Sequence, residues 1–381
     1  MSLSISHEQN DKFYMTVKMG YNPNSLGISP ASFQQQLNQP IMMNPHDYYM
    51  TINKFTIPTQ NIPIFVAEIQ PFPNTNVDLT VYSVTLTLGA NVSQVFVQFI
   101  TEQPNVTPPP ISANPVNGPK SSYYFVYTYM NFITMVNNAL AAAYAALPGT
   151  PVGGQPPYFT FDCVNERISL VAQYANYDEN AANRISIYMN QVLFTYFSGL
   201  SEEYFGFNQP NGMDTRIIVR YDGNNVYNPV LPGVPTVPAN PIPNDFLIMT
   251  QQFPALVNWL SFKSMILVSN LIPVRLQYSV GNVQTLGNTA SSNQSIVNVQ
   301  GTLSSFEPIL DIGDETLGGQ LQYVTQGPYK LLNMFGNNPI STIDVTAYWV
   351  DQFGFTYPID IPINQVAIIE FAFFKKSTFT S

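Results

Sequence analysis

The stretch TIDVTAYWV, Thr342 to Val350, alternates along its whole length. Ile343, Val345, Ala347 and Trp349 fall on one face, and Thr342, Asp344, Thr346 and Tyr348 on the other. A period of two is that of an extended chain, so this stretch is predicted to be a strand with one buried face. The same pattern recurs on either side. Val95, Val97 and Phe99 alternate with Gln94, Phe96 and Gln98, and Val274, Leu276, Tyr278 and Val280 with Arg275, Gln277 and Ser279. Leu79 and Val81 share one phase and Val84, Leu86 and Leu88 the other, which predicts a bulge near Tyr82–Ser83. The last segment, Gln365 to Phe374, is apolar in both phases, and such a strand is expected to be covered on both sides. Adding 48–57, 262–268 and 321–334 gives about eight strands separated by Pro, Asn and Gly, the pattern of a β-sandwich or jelly roll.

Two proline-rich stretches interrupt this series. Six prolines lie between Pro104 and Pro119, and six more between Pro229 and Pro243. Proline lacks a backbone donor and fixes φ, so both stretches are expected to be stiff, extended connectors. The sequence between them changes character. Asn131 to Leu147 carries Phe132, Val136, Ala139, Leu140, Ala143 and Leu147 at helical spacing, and Pro148–Gly149 stops it. Asn190 to Leu200 is expected to form a second helix, with Val192, Leu193, Tyr196, Phe197 and Leu200 on one side. Tyr158–Asp162 and Ile168–Ala172 are expected to form a hairpin turning at Asn165–Glu166, with further strands at Arg184–Met189 and Thr215–Arg220. The predicted organisation is mainly β. Residues 46–103 and 244–381 form one discontinuous sandwich, into which a small α+β domain is inserted at 104–243 with its core at 121–228. Residues 1–45 are polar and weakly periodic, and are expected to be an arm that orders only against something else.

Composition narrows the function. Only 9% of the 381 residues are charged, against ~25% in ordinary domains. Neutral amides (38 Asn and 25 Gln) outnumber the 36 charged residues. Amides cost less to desolvate than ions, and charges are depleted at interface centres, so this surface suits burial against neighbouring molecules. Net charge is −10 with no Lys/Arg cluster, which argues against nucleic acid as a partner. The first residues lack a basic region and apolar core of the secretory kind, and the longest apolar run, Ala139–Leu147, is far short of a membrane span of ~20 residues. A single cysteine, Cys163, allows no internal disulfide.

Catalytic and metal patterns are weak. The only histidines are His7, in the expected arm, and His46, at the start of the first strand, and neither belongs to a zinc or Ser–His–Asp pattern. Cys163 sits beside Asp162 with Arg167 across the turn and no histidine nearby, and reads as a structural thiol. Asp311, Asp314 and Glu315 share a loop without the calcium-loop spacing, and read first as solvated, with a cation as the alternative. Glu202–Glu203, with Asp178 or Glu179, are the candidates for a glycosidase pair, but on a helix adjacent residues diverge. No phosphate-cradling glycine loop is present, and no cofactor is expected. Asn91, Asn105 and Asn293 match the glycosylation pattern without any accompanying sign of secretion. The 121–228 segment is rich in rings: Tyr123, Tyr124, Phe125, Tyr127, Tyr129, Tyr174, Tyr177, Tyr188, Tyr196, Tyr204, Phe205, Phe207, Tyr221 and Tyr227. They suit either core packing or a carbohydrate- or protein-binding face, and packing is the first reading.

One resemblance is specific. From Tyr329 to Lys376 the chain runs YKLLNMFGNNPISTIDVTAYWVDQFGFTYPIDIPINQVAIIEFAFFKK. Its D-V-x-A-Y-W-x-D-x-x-G hairpin, proline-containing segment and closing apolar strand resemble the last strands of the minor capsid (penton) proteins of virophages and polinton-like viruses. Phe132–Leu147, Pro157–Leu170 and Ile187–Phe197 are similar, in that order, to the insertion those proteins carry. The resemblance covers most of 46–381 and implies a single jelly roll that forms homopentamers at icosahedral fivefold vertices beside the major capsid protein. It further implies strands along the capsid radius and an insertion capping the outer end. On this reading the chain is a non-enzymatic capsid protein of the virion, assembled in host cytoplasm or a viral factory and not inserted in a membrane. The insertion is then a cap for a host or giant-virus surface glycan or receptor, and the arm reaches beneath neighbouring subunits. The alternative is a carbohydrate-binding or polysaccharide-hydrolysing surface protein.

Overall fold

The computed structural model describes residues 2–7, 11–21, 31–68, 79–101, 125–227, 245–259, 262–269, 271–274, 304–309, 319–324, 331–351 and 356–379. Both proline-rich stretches, the strand expected over 275–280 and the acidic residues Asp311, Asp314 and Glu315 lie outside them. The chain is mainly β and divides into two compact units, Met1–Pro63 with Ser261–Ser381, and Ile64–Leu260.

The first unit holds two antiparallel sheets. One has the order Ser2–His7, Lys12–Gly20, Val366–Lys375, Tyr48–Pro58, Gln320–Val324, with Leu332–Asn333 also on Tyr48–Pro58. Its centre is the closing strand, which meets Lys12–Gly20 in a nine-pair ladder. Opposed pairs in that ladder are the buried ones: Phe13 with Phe373, Met15 with Phe371, Val17 with Ile369 and Met19 with Ala367. The Phe13 and Phe373 rings stack at 4.7 Å. On the other side of the closing strand one residue is extra. Glu370 pairs with Lys54 and Phe371 with Ile52, so Asn53 bulges out. One added residue flips the phase of a strand. Met50 and Ile52 are accordingly buried before the bulge and Phe55 and Ile57 after it. The Asn53 amide turns to Glu370 Oε1 at 2.5 Å, and Glu370 Oε2 pairs with Lys54 at 3.2 Å and accepts from Thr16 at 3.3 Å. The outer face of the closing strand is only partly covered: Ile368 and Phe374 are half-buried and Val366 is exposed.

The second sheet of this unit runs Ser304–Ile309, Phe262–Ser269, Thr342–Asp351, Thr356–Pro358, with Ser32–Gln36 also on Thr342–Asp351. The alternation of the central strand holds to the residue, with Ile343, Val345, Ala347 and Trp349 buried. Trp349 stacks on Tyr357 across the hairpin at 4.3 Å.

The described part of residues 1–45 is therefore no free arm. Two of their strands join one sheet and the third joins the other. The alternation of Phe13, Met15, Val17 and Met19 signals this in the sequence, but its partner lies some 350 residues away, so only the tertiary pairing shows what covers it.

The second unit carries a five-stranded sheet, Glu202–Tyr204, Thr215–Ile217, Ile185–Met189, Leu79–Leu88, Asn91–Gln98, and a four-stranded one, Val226–Tyr227, Phe246–Thr250, Arg167–Gln173, Tyr158–Asp162. The helix Tyr129–Ala146 supplies Phe132, Ile133, Val136, Leu140 and Ala143 to the core they share. Thr128 caps its start by accepting from Asn131 N, and the alanine run 141–143 suits a helix with few other constraints. Leu79–Leu88, Asn91–Gln98 and Phe246–Thr250 belong here rather than to the outer sandwich, because their partners are Ile185–Met189 and Arg167–Gln173. The boundaries thus fall at 63/64 and 260/261 instead of 103/104 and 243/244. Proline reports local stiffness, whereas sheet membership is set by a distant partner.

Three local expectations also change. The register of Leu79–Leu88 does shift between Leu79 and Ser83, but by two residues: four steps oppose two between Gln98 and Phe96. An offset of two restores the phase, so Thr80, Tyr82, Val84 and Leu86 all remain buried. The expected helix Asn190–Leu200 is one short turn, Gln191–Phe194, followed by a 3₁₀ turn Thr195–Phe197. Tightening the turn buries Phe194 and leaves Val192 exposed. The expected strand Thr215–Arg220 ends at Ile217.

Two outcomes follow from the first unit. Deleting residues 1–21 removes four core side chains worth roughly 1.5–3 kcal/mol each. That is comparable with a whole domain's stability of ~5–15 kcal/mol, so the truncated chain is expected to be proteolysed in its first unit. A truncated chain with an unchanged melting curve contradicts this. Asp360 provides a pH test. Burial pushes its carboxyl up to about 6, and Oδ1 has no hydrogen-bond partner. The folded state therefore binds the proton more tightly than the unfolded chain, and stability falls as pH rises from about 4 to about 6. Asp360→Asn is expected to add about 2–3 kcal/mol at pH 7.5 and little at pH 3.5, read by denaturant titration.

Candidate assembly and binding surfaces

The amides that dominate the composition have an internal use. Asn137 on the helix donates to Phe159 O at 2.9 Å and accepts from Phe159 N at 2.7 Å, which completes the edge of the strand Tyr158–Asp162. Gln251, fully buried, accepts from Ile168 N at 2.7 Å and donates to Ser198 O at 2.6 Å. Asn190 accepts from Ser83 N and Leu193 N and donates to Val81 O. An amide carries a donor and an acceptor on one rigid plane, so it replaces a missing backbone partner without bringing a charge into the core. Part of the amide content read from composition as assembly surface thus joins strands and turns within one unit.

The catalytic candidates do not converge. Glu202–Glu203 lie on a strand, not a helix, and still point to opposite faces. The Arg216 guanidinium holds Glu203 at 2.6 Å and Glu179 at 3.7 Å, so these two carboxylates share a cation instead of facing each other across a substrate. Partial burial pushes the Glu202 carboxyl up. Asp178 is buried and accepts from Asn180 N and Tyr221 N, a turn-holding role. Cys163 is exposed in the Asp162–Arg167 turn, where hydrogen bonds from the Asn165 side chain and from Val164 N hold the Asp162 carboxyl below its ordinary value. His46 pairs with its neighbour Asp47 at 3.0 Å, and Lys376 donates to its carbonyl. His7 ends the strand Ser2–His7. Among the described residues no group of three His, Cys, Asp or Glu is placed to hold a metal, and no helix is long and apolar enough to cross a membrane. Of the sequons, Asn91 sits at an exposed hairpin turn with its amide on Pro148 O, and Asn105 and Asn293 lie outside the described residues.

The ring-rich set divides. Tyr177 is buried, with its hydroxyl pushed far up by desolvation, and Tyr129, Tyr196 and Trp259 make a packed cluster. Tyr204, Phe205 and Phe207 stand out from the surface, Phe207 at 70% exposure. They open the loop 204–214, which folds back over the sheet and borders a cleft of about 630 Å³. The loop is fixed at its end by Asp214, whose carboxylate accepts from Gln209 N at 3.0 Å and Gln191 N at 2.9 Å. Gly212 takes φ +66°, and a Cβ there would stand 2.6 Å from Ser83 Oγ, so only glycine lets the loop sit this close. Residues Phe205–Gly212 (FGFNQPNG) show the sequence signal for this loop, a turn-forming cluster that carries apolar rings. In the first unit Met43, Val324, Phe335, Ile363 and Val366 are exposed.

These features define a protein that presents uncharged surface for contact and carries no assembled catalytic group among its described residues. The family model of the Sputnik minor capsid protein V18/19 matches residues 13–375, and the chain belongs to that family. It is 37% identical over 219 residues to structural protein V19 of the Sputnik virophage, covering 58% of this chain and 94% of the relative. It is 41% identical over 169 residues to protein V18 of the same virophage, covering 41% and 99%. A chain in the cryo-EM structure of the Sputnik virophage superimposes with a TM-score of 0.78 at 39% identity, over 97% of this chain and 99% of that one. The mavirus penton protein shares the fold at a TM-score of 0.60 and 12% identity, over 95% and 99%. The chain is thus a minor capsid protein of the virophage kind, a structural part of the virion and not an enzyme.

The two kinds of amide predict a contrast. Gln251→Ala leaves a buried N–H and a carbonyl unpaired and is expected to cost about 2–4 kcal/mol. Asn91→Ala, at an exposed turn, is expected to stay within about 0.5 kcal/mol, both read by urea unfolding.

Proposed function

We propose that this protein is the penton of its capsid: a single jelly roll that assembles as a homopentamer at the fivefold vertices, beside the major capsid protein. The observation that carries the reading is the superposition on a chain of the Sputnik virion over 97% of the length, at 39% identity. The fold shared with a mavirus penton protein supports it, as do the two antiparallel sheets of the first unit, each with one buried face. A five-membered ring is a heterologous assembly, in which one flank of each subunit meets a different flank of the next. Exposed apolar side chains and neutral amides suit such flanks because they pack without desolvating ions. The second unit, inserted after Pro63, is the outward cap in this reading and meets a ligand on the host or giant-virus surface. Assembly takes place in the host cytoplasm or viral factory.

The test is the mass of the purified protein in solution, together with its position in particle maps. Five copies of the 42.5 kDa chain are expected. With so few charges at the contacts, the mass is expected to be unchanged between about 0.05 and 1 M salt, over which the Debye length falls several-fold to ~3 Å. A monomer at all concentrations, or a different protein at the vertices, overturns the reading.

A further inference from the structure

We propose that the cleft beside the 204–214 loop binds a neutral saccharide. The proposal rests on the reading of the second unit as the ligand-bearing cap, and names both the site and the ligand class. Its volume of about 630 Å³ lies within the ~300–1,000 Å³ of small-molecule sites. The lining is unusual in having amides with one end tied and the other open. Gln94 Nε2 donates to Ser83 Oγ at 3.2 Å, a bond that does not use Oε1. Gln209 Nε2 donates to Phe205 O at 2.9 Å, which again leaves Oε1. Gln191 Oε1 accepts from Thr215 Oγ1 at 3.1 Å, which leaves Nε2. Each of these amides thus has one end fixed before any ligand arrives, so less side-chain entropy remains to be lost on binding.

Charge decides the class. Among the described residues, the single charged one lining the cleft is Asp214, and both of its oxygens are engaged by backbone N–H groups. Among the described residues no Lys or Arg lines the cleft to compensate a phosphate, sulfate or carboxylate, and no free carboxylate attracts a cation. What remains is a set of neutral hydrogen-bonding groups next to an aromatic face. Phe207 is 70% exposed at the rim, and Tyr204 meets it edge-on at 5.8 Å, which fixes its plane. A sugar ring has this complement: an apolar C–H face for the aromatic ring and hydroxyls that both donate and accept for the amides. The loop is held to one shape by Asp214 and by the close approach at Gly212, so the site is preformed.

The experiment uses the full chain. Wild type, Phe207→Ala and Gln94→Ala are measured against immobilised neutral, sialylated and sulfated glycans, and against intact host cells with and without periodate oxidation. The expected result is binding to at least one neutral glycan, at least about tenfold weaker in Phe207→Ala, with melting temperature and assembly mass unchanged. Sialylation or sulfation is expected to give no gain, and periodate to abolish cell binding. Glycan binding that is equal in wild type and both variants overturns the assignment of the site. Silence on every neutral glycan with periodate-resistant cell binding overturns the saccharide class but leaves the cap reading standing. No binding to glycans or cells overturns both.

Discussion

The first unit depends on the pairing of the closing strand with two strands from the far end of the chain. Val366–Lys375 is hydrogen-bonded on one side to Lys12–Gly20 and on the other to Tyr48–Pro58. Joining segments more than 300 residues apart carries a loop-closure cost that grows only with the logarithm of length. The interval can therefore hold a second unit, which leaves after Pro63 and returns before Ser261. Four apolar pairs repay the closure, and Glu370 sits in the middle with Lys54, Asn53 and Thr16 around its carboxylate. A carboxylate on a central strand is tolerable only with such partners, and the Asn53 bulge brings one of them into reach.

A second economy runs through the other unit. Its turns and strand edges leave backbone groups that no regular ladder satisfies, and Asn137, Asn190 and Gln251 take those places. Charged side chains would do the same work only with partners of their own. Low charge is thus a property of the interior joints as well as of the contact surface. For a protein whose flanks are to be covered by neighbours, both needs favour the same residue types. The same chemistry lines an open cleft beside Phe207, where we propose that it recognises a neutral ligand.

Legibility of the fold followed the range of the interactions involved. The Thr342–Val350 strand, the Tyr158–Ala172 hairpin and the helix ending before Pro148 were all readable, because each depends on its own periodicity and turn residues. The two register shifts show where local reading stops. At Asn53 one extra residue flips the buried phase, while between Leu79 and Ser83 two extra residues leave it intact. Only the partner strand reveals how many residues are extra. The ring-rich segment was visible, but its division into the buried Tyr177 and the exposed Phe207 was not, since burial depends on which distant element covers each ring. Glu202–Glu203 were singled out as candidate carboxylates, yet nothing local announced that Arg216 would join Glu203 to Glu179.

The sequence by itself determined the mainly β class, the positions of the well-patterned elements, the scarcity of charge and the resemblance to a capsid family, because each is a matter of composition, period or residue order. Tertiary structure alone decided that Ser2–His7 and Lys12–Gly20 are sheet and not arm, that Leu79–Gln98 belongs to the inserted unit, and that a loop at 204–214 stands over a cleft. Those outcomes depend on which distant backbone completes a strand's hydrogen bonds and covers its apolar face, and a single strand presents much the same alternation whichever partner it meets.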